Sequence, residues 1–156
     1  METRIYKIDS NGFAIVKRVL EAEDMCEIKT KCKNCGTEKT EKVNANSVSD
    51  YEATDKKPAK IKCKCGDALE ILSKNYIMNN FKLNGFILRD GKALGLGESH
   101  RYLYIKASAE FFSKNEKAIL VNGVVKTSGS EFEKAKNEIE KEQDKAAEGF
   151  GGIFNI

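Results

Sequence analysis

The sequence contains one proline, one histidine and no tryptophan in 156 residues. A single proline excludes a proline-rich linker, and a single histidine excludes the paired-histidine motif of zinc proteases. No apolar run approaches the roughly 18 residues that a membrane-spanning helix needs. The opening residues, METRIYK, lack the apolar centre of a signal peptide. We therefore expect no membrane partner and a location in the cytoplasm, or inside a particle assembled there.

An excess of charge of one sign is also missing, because 27 basic residues stand against 24 acidic ones, a net charge of +3. This near-balance excludes a histone-like polycation and an acidic mimic of nucleic acid. Only four of the basic residues are arginine. Since bidentate hydrogen bonds to guanine favour arginine, extensive reading of base edges is not expected. The hydrophobic fraction of 40% still suffices for a folded core.

Cysteine carries the clearest chemical signal. The chain has five cysteines, an odd number that argues against a disulfide framework when no secretion signal is present. Four of them form two short clusters, Cys32-Lys-Asn-Cys35 and Cys63-Lys-Cys65, and a glycine follows each cluster. Thiolates grouped in this way are typical zinc ligands, so these four residues are predicted to hold one structural Zn²⁺ ion.

The two clusters resemble the zinc-ribbon class, in which two hairpin knuckles clamp one zinc ion. The resemblance covers roughly residues 25–72 and identifies a type of module rather than a specific family. The second cluster departs from the usual pattern, because it reads C-x-C where a ribbon normally has C-x-x-C. Alternate residues of a strand lie about 6.6 Å apart at Cα, a gap that two converging side chains can close.

Other interpretations of the cysteines have less support. If residues 26–32 form a strand, its ends lie about 20 Å apart, which excludes Cys26 from the metal site and leaves it as a small buried hydrophobic residue. A redox role for Cys32 and Cys35 is the alternative, without the βαβ context of thioredoxin-like proteins. No further cysteine spacing indicates an iron–sulfur cluster. Four thiolates leave no open position for water, so the zinc is expected to fold a polar segment.

Most of the remaining chain indicates short antiparallel strands joined by tight turns. Three turn signals each separate two apolar runs and predict hairpins. They are Asp9-Ser-Asn-Gly12, Asp90-Gly91 and Asn122-Gly123. Residues 69–81 fit either a strand or a helix, and residues 107–116 predict a short helix. Residues 131–147 predict a longer helix that begins at a Ser130–Glu133 capping box and ends at Gly149.

These elements predict an α+β fold, a small antiparallel β-rich domain with a zinc-ribbon insertion, a C-terminal helix and an apolar tail. Residues 1–24 are expected to form an N-terminal hairpin of the main β domain, with strands over 4–8 and 13–20. Residues 25–72 are the zinc-ribbon module, and 73–127 complete the main domain. Residues 128–156 contain the C-terminal helix and the tail.

The sequence offers little support for catalysis. His100 lies in a polar, turn-like segment, and no nucleophile elbow, zinc-protease motif or phosphate-binding loop occurs. The glycine-rich stretch 91–97 has neither the spacing of a phosphate loop nor a following helix signal. We therefore expect a protein that is not an enzyme and that has no small-molecule substrate.

Nucleic-acid binding is the function that the charge pattern favours. Residues 25–66 carry ten lysines against six acidic residues, and four of these lysines flank the cysteines. If residues 101–106 form a strand, two tyrosines and a lysine share one face, an arrangement that suits a single strand. The predicted contacts are Lys31, Lys33, Lys62, Lys64, Arg101, Tyr102, Tyr104 and Lys106. On this hypothesis the protein is an accessory factor in replication or transcription.

The alternative is a structural or adaptor subunit of a larger assembly, such as a viral particle or a polymerase complex. The C-terminus of the chain carries four apolar residues on a glycine-rich stem. These residues either fold back onto the core or dock into a protein partner. The predicted docking residues are Phe150, Ile153, Phe154 and Ile156. The basic body, acidic helix and apolar tip resemble the layout of bacterial and phage single-stranded-DNA-binding proteins. That resemblance implies that the tip recruits a protein partner.

Overall fold

The computed structural model describes residues 1–154 of the chain, with side chains described up to residue 146. The chain divides into two compact units. Met1–Glu21 and Asn80–Ile156 belong to the first, here called the main unit, and Ala22–Asn79 form the second, called the inserted unit. Within the described residues, no helix is both long enough and apolar enough to cross a membrane.

Each unit is built on its own antiparallel sheet. In chain order the elements are β1 (Glu2–Ile8), α1 (Ser10–Glu21), β2 (Met25–Cys32), β3 (Glu38–Asn44), β4 (Leu69–Ile77), α2 (Asn80–Asn84), β5 (Ile87–Asp90), β6 (Arg101–Ala107), α3 (Ala109–Asn115), β7 (Val124–Lys126) and α4 (Gly129–Phe154). The main unit has four strands in the order β5–β6–β1–β7, and the inserted unit has three in the order β3–β2–β4. A 3₁₀ helix, Ala45–Tyr51, follows β3.

Helices cover both faces of the main sheet, because successive residues of β1 and β6 point to opposite sides. One face packs against residues from α1, α2 and α3. Its buried members are Tyr6, Ile8, Val16, Leu20, Phe81, Leu103, Ile105, Ala107, Phe112 and Ile119. The other face packs mainly against α4, and its buried members are Ile5, Leu94, Tyr102, Tyr104, Ala135 and Ile139. The main unit therefore has a helix–sheet–helix arrangement.

The inserted unit has a small core between its sheet and the 3₁₀ helix. Cys26 and Ile28 of β2 pack against Val48 and Tyr51. Cys26 is 0% exposed, as expected for a small buried hydrophobic residue. The hydroxyl of Tyr51 donates a hydrogen bond to the carboxylate of Glu41 at 2.6 Å, and burial together with this bond raises the pKa of Tyr51 to about 12.

The predicted N-terminal hairpin is wrong, since residues 10–21 form helix α1 rather than a second strand. Asp9 precedes the helix, and its side chain accepts hydrogen bonds from the backbone N–H groups of Asn11 and Gly12, at 2.9 and 3.0 Å. An acidic side chain that accepts these bonds caps the N-terminus of a helix. The polar segment therefore starts a helix where the sequence also fitted a turn.

The other two turn signals do not form the predicted tight hairpins. Gly91 opens a connection of residues 91–100 between β5 and β6, and a Cβ atom at this position would lie 2.5 Å from the carbonyl oxygen of Gly97. Gly123 has a positive φ of 92°, as turn glycines often do. A hairpin needs a strand on each side of its turn, and only β7 lies next to Gly123. Its carbonyl accepts a hydrogen bond from the N–H of Asp9 at 2.9 Å. Gly91 therefore begins a long connection between two paired antiparallel strands, whereas Gly123 permits a close backbone contact without a hairpin.

The predicted fold class is confirmed, with two antiparallel sheets and a C-terminal helix. Helix α3 lies within the predicted segment, and the ambiguous segment 69–81 contains β4 and the start of α2. Helix α4 begins at Gly129 and continues past Gly149, so its predicted end is wrong. An interior glycine costs about 1 kcal/mol relative to alanine, which weakens a helix without terminating it.

Candidate metal centre

The first cysteine cluster forms a turn at the end of β2. Cys32 is the last residue of the strand, and its N–H donates to the carbonyl of Thr37 at 2.9 Å. The carbonyl of Cys32 accepts a hydrogen bond from the N–H of Gly36 at 3.1 Å. Gly36 has a φ of 71°, a left-handed conformation that favours glycine. The chain therefore reverses around Cys35, which lies inside this turn.

The second cluster forms the same kind of turn with one residue fewer. The N–H of Cys63 donates to the carbonyl of Asp67 at 3.0 Å, and its carbonyl accepts from the N–H of Gly66 at 2.8 Å. Gly66 also has a positive φ, 92°. The hydrogen bond that closes this turn spans three residues instead of four. The C-x-C spacing is therefore accommodated by a tighter knuckle than the C-x-x-C spacing.

The structure brings the four predicted ligands together. The Sγ atom of Cys32 lies 3.5 Å from that of Cys65, and the Sγ atom of Cys35 lies 3.6 Å from that of Cys63. All four sulfur atoms lie within 4.8 Å of one another. Zinc–sulfur bonds of about 2.3 Å place tetrahedral sulfurs roughly 3.8 Å apart. The four cysteines therefore form a candidate site for one metal ion, and their chemistry and spacing suit zinc.

Hydrogen bonds favour the thiolate form at two of the cysteines. The hydroxyl of Thr37 lies 3.1 Å from the Sγ atom of Cys35, and with the Thr37 N–H it lowers the pKa of Cys35 to about 6. The backbone N–H of Asp67 lowers the pKa of Cys65. At Cys63 the N–H of Cys65 lowers the pKa, but the other three sulfurs raise it to about 11. A cation among the sulfurs favours the thiolate at all four positions.

The hydroxyl and amide groups that contact the sulfurs were not anticipated from the sequence. Thr37 follows Gly36 directly, and Asp67 follows Gly66 directly. The residue after each knuckle glycine therefore supplies a hydrogen bond to the second sulfur of its cluster. The sequence could have predicted these hydrogen bonds, because in both clusters a polar residue follows the cysteine and the glycine.

Solvent reaches the four sulfurs to different degrees. Cys32 is 1% exposed, Cys63 is half-buried, and Cys35 and Cys65 are exposed. The candidate centre therefore lies at the surface of the inserted unit. Its ligand set is complete with four side chains, a composition typical of structural zinc sites.

No family model matches the chain, and comparisons with curated proteins and with solved structures give no match either. The four-cysteine geometry is compatible with a zinc-ribbon-like module, and no family is recognised. Function must accordingly be inferred from the geometry of this chain.

The predicted knuckle lysines lie on the surface. All four are exposed, and within the described part of the chain none of them forms an ion pair: Lys31, Lys33, Lys62 and Lys64. In the sheet register Lys31 lies opposite Glu38 on β3 and Glu70 on β4, so carboxylates on both sides offset its charge. The other three lie in the turns, outside the strand register. They are the better candidates for contact with an anionic partner.

The predicted tyrosine face is wrong as a nucleic-acid contact. Strand β6 forms, and Tyr102 and Tyr104 share one of its faces, as the alternation predicted. Helix α4 covers that face, so the two residues are 0% and 5% exposed. Their hydroxyls donate hydrogen bonds to Glu131 and Glu140, at 3.0 Å each. Rings packed under a helix are not available to stack on bases.

The two predicted cations of β6 differ in their surroundings. The Nε atom of Arg101 lies 3.1 Å from the carboxylate of Asp90, and its guanidinium lies 3.6 Å from the centre of the Phe13 ring. Lys106 is exposed and lines a cavity together with Glu140 and Asp144. Arg101 is therefore engaged within the main unit, and Lys106 adjoins acidic groups.

The predicted docking tail lies outside what the structure describes. Phe150, Ile153 and Phe154 belong to the part of α4 whose side chains are not described, and Ile156 lies outside the described residues. Docking of a protein partner through this tail stays a prediction.

Proposed function

We propose that this protein is a zinc-stabilised binding protein that contacts nucleic-acid phosphates through Lys33, Lys62 and Lys64. The observation that supports the proposal is the placement of these three exposed lysines beside a four-thiolate centre. A centre with four protein ligands offers water and substrate no open position, which favours a structural role for the metal. On this proposal the protein is not an enzyme and acts as an accessory factor in replication or transcription.

The small core of the inserted unit supports a structural role for the metal. Its buried cluster contains four residues, Cys26, Ile28, Val48 and Tyr51. So small a core cannot offset the conformational entropy that Ala22–Asn79 loses on folding. A metal ion that binds the folded turns and not the unfolded chain contributes its binding free energy to folding.

The charge of the inserted unit limits the proposal to local contacts. Ala22–Asn79 carries eleven lysines, no arginine and ten acidic residues, a net charge of +1. A zinc ion with four thiolates adds a charge of −2, so the metal-loaded unit has a net charge of −1. Attraction must therefore come from the lysines of the knuckles. The lack of arginine favours contact with phosphates over recognition of base edges.

Fluorescence anisotropy with a labelled oligonucleotide, repeated over a range of salt concentrations, tests the proposal. Each phosphate contact contributes about 0.7 to 0.9 to the slope of log affinity against log salt. The triple variant Lys33→Gln, Lys62→Gln, Lys64→Gln should therefore weaken binding and lower that slope by about 2 to 3.

A matched control removes the same charge from exposed positions of the main unit. It combines Lys17→Gln, Lys117→Gln and Lys141→Gln. This control should bind the oligonucleotide almost as well as the unchanged protein. Absence of binding at low salt, or equal losses in the two triple variants, would reject the proposal. Zinc content is measured for each preparation, so that loss of the metal is not mistaken for loss of phosphate contacts.

A further inference from the structure

Two sulfur–sulfur contacts of the candidate centre each join one knuckle to the other. Cys32 pairs with Cys65 at 3.5 Å, and Cys35 pairs with Cys63 at 3.6 Å between Sγ atoms. Each pair contains one exposed residue, Cys65 or Cys35, and one more shielded residue, Cys32 or Cys63. This division suits thiol oxidation, in which an accessible thiolate reacts first and a neighbouring thiolate then forms the disulfide.

Four cysteines can form two disulfides in three ways. Pairing within the knuckles would join Cys63 to Cys65 across a single residue, a small ring that strains the disulfide away from its preferred geometry. A second pattern would join Cys35 to Cys65 and Cys32 to Cys63, leaving the latter pair without an exposed sulfur. The third pattern joins the sulfurs that are already 3.5 and 3.6 Å apart. Strain and access therefore favour this connectivity, and its two sulfur pairs are already in contact.

We propose that the centre is an oxidation site at which hydrogen peroxide converts the four thiolates into the disulfides Cys32–Cys65 and Cys35–Cys63. The proposal rests on the four-cysteine site and is independent of nucleic-acid binding. In each pair the exposed thiolate attacks the peroxide O–O bond, becomes a sulfenic acid and releases hydroxide. The shielded thiolate then attacks the sulfenic sulfur, which forms the S–S bond and releases a second hydroxide.

The reaction balances in atoms, electrons and charge. In forming each disulfide, two thiolates lose two electrons to one peroxide, so two peroxide molecules oxidise the whole centre. Thiolate is the form of cysteine that binds metal, so disulfide formation releases the zinc as Zn²⁺. A zinc tetrathiolate of charge −2 and two peroxides thus give two disulfides, one Zn²⁺ and four hydroxide ions. The disulfides then crosslink the same two turns that the metal held.

The sequence allows the connectivity to be determined without ambiguity, because trypsin cleaves after the lysines that separate all four cysteines. The zinc-loaded full chain is treated with hydrogen peroxide, the remaining thiols are alkylated at acid pH, and non-reduced tryptic peptides are identified by mass spectrometry. Peptide 32–33 should be linked to 65–74, and peptide 34–39 should be linked to 63–64. A chelating dye should report one zinc released for every two peroxides consumed.

Other products would overturn the proposal. These are a link between peptides 32–33 and 34–39, a link between 32–33 and 63–64, crosslinks between chains, or sulfinic acids without disulfides. Zinc retained in the oxidised protein would also overturn it.

Two variants test the pairing further. Cys35→Ser should leave a single disulfide, Cys32–Cys65, with Cys63 free for alkylation. Cys26→Ala removes the buried cysteine outside the centre, so both disulfides should form as before. A Cys32–Cys63 link in the first variant, or an altered pattern in the second, would contradict the assignment. If Cys35→Ser does not fold, the peptide map of the unchanged protein decides the question alone.

Discussion

Removal of zinc should unfold the inserted unit and leave the main unit folded. Strands β2, β3 and β4 contain 24 of the 45 strand residues in the described chain, and every α-helix described belongs to the main unit. A strong chelator should therefore remove about half of the β-sheet signal in circular dichroism and keep the helical signal. Structural zinc contributes about 10–16 kcal/mol in zinc-finger peptides, as much as the whole stability of many domains.

Hydrogen exchange measured by mass spectrometry assigns the unfolding to a segment. After chelation the amides of Ala22–Asn79 should exchange rapidly, while those of β1 and β6, at the centre of the main sheet, should stay protected. Cys63→Ser should reproduce the effect, and the control Cys26→Ala should still bind one zinc per chain. Protection that persists across Ala22–Asn79 in metal-free protein would refute the reasoning. Loss of protection in both units would show that the main unit depends on the metal as well.

Two further outcomes follow from charges in the two units. Burial raises the pKa of Glu116, but hydrogen bonds from Lys126, Tyr6 and Arg4 outweigh it and hold that pKa below its usual value. A carboxylate whose pKa is lowered by folding stabilises the fold at pH values above its pKa in the unfolded chain, about 4.3. This stabilisation is lost as the pH falls through its pKa in the folded protein. Glu116→Gln should therefore lower the free energy of unfolding by about 2 kcal/mol at neutral pH and by less in acid, as measured by thermal unfolding. The exposed control Glu133→Gln should lower it little. A loss of stability that does not depend on pH would contradict this reasoning. Peroxide-oxidised protein should bind the oligonucleotide more tightly in anisotropy than zinc-loaded protein does, and weaker binding would contradict the phosphate contacts.

The candidate metal site is the most predictable feature because its signal is local. Two short cysteine clusters must each turn if four sulfurs are to meet, and Gly36 and Gly66 mark those turns in the sequence. The burial of Cys26 is predictable for the same reason, since the length of one strand places it away from the ligands. The fold class follows from alternating apolar residues and helix signals within short windows.

The wrong predictions concern contacts between residues that are distant in sequence. Residues 9–12 fit both a hairpin turn and a helix cap, and one of the contacts that fixes them is a hydrogen bond from the Asp9 N–H to the carbonyl of Gly123. Alternation along β6 placed Tyr102 and Tyr104 on one face correctly. Nothing near them in the sequence indicates that α4 covers this face, since Glu131 lies 29 residues beyond Tyr102. Local patterns predict which side chains share a face, but not what packs against it.

On the proposed function, the lysines of the knuckles have two competing electrostatic roles. A zinc ion with four thiolates carries a charge of −2, and Lys33, Lys62 and Lys64 carry +3, so about +1 remains for phosphates. Lys31 is left out of this sum because Glu38 and Glu70 lie opposite it. Oxidation to two disulfides removes the −2 and leaves the charges of all three lysines available. Screening in 0.15 M salt limits this effect to groups within about 8 Å, so the gain in affinity should shrink as salt is raised. If the lysines serve only to stabilise the thiolates, neither form binds an oligonucleotide, and comparison of the zinc-loaded and oxidised proteins therefore separates the two roles.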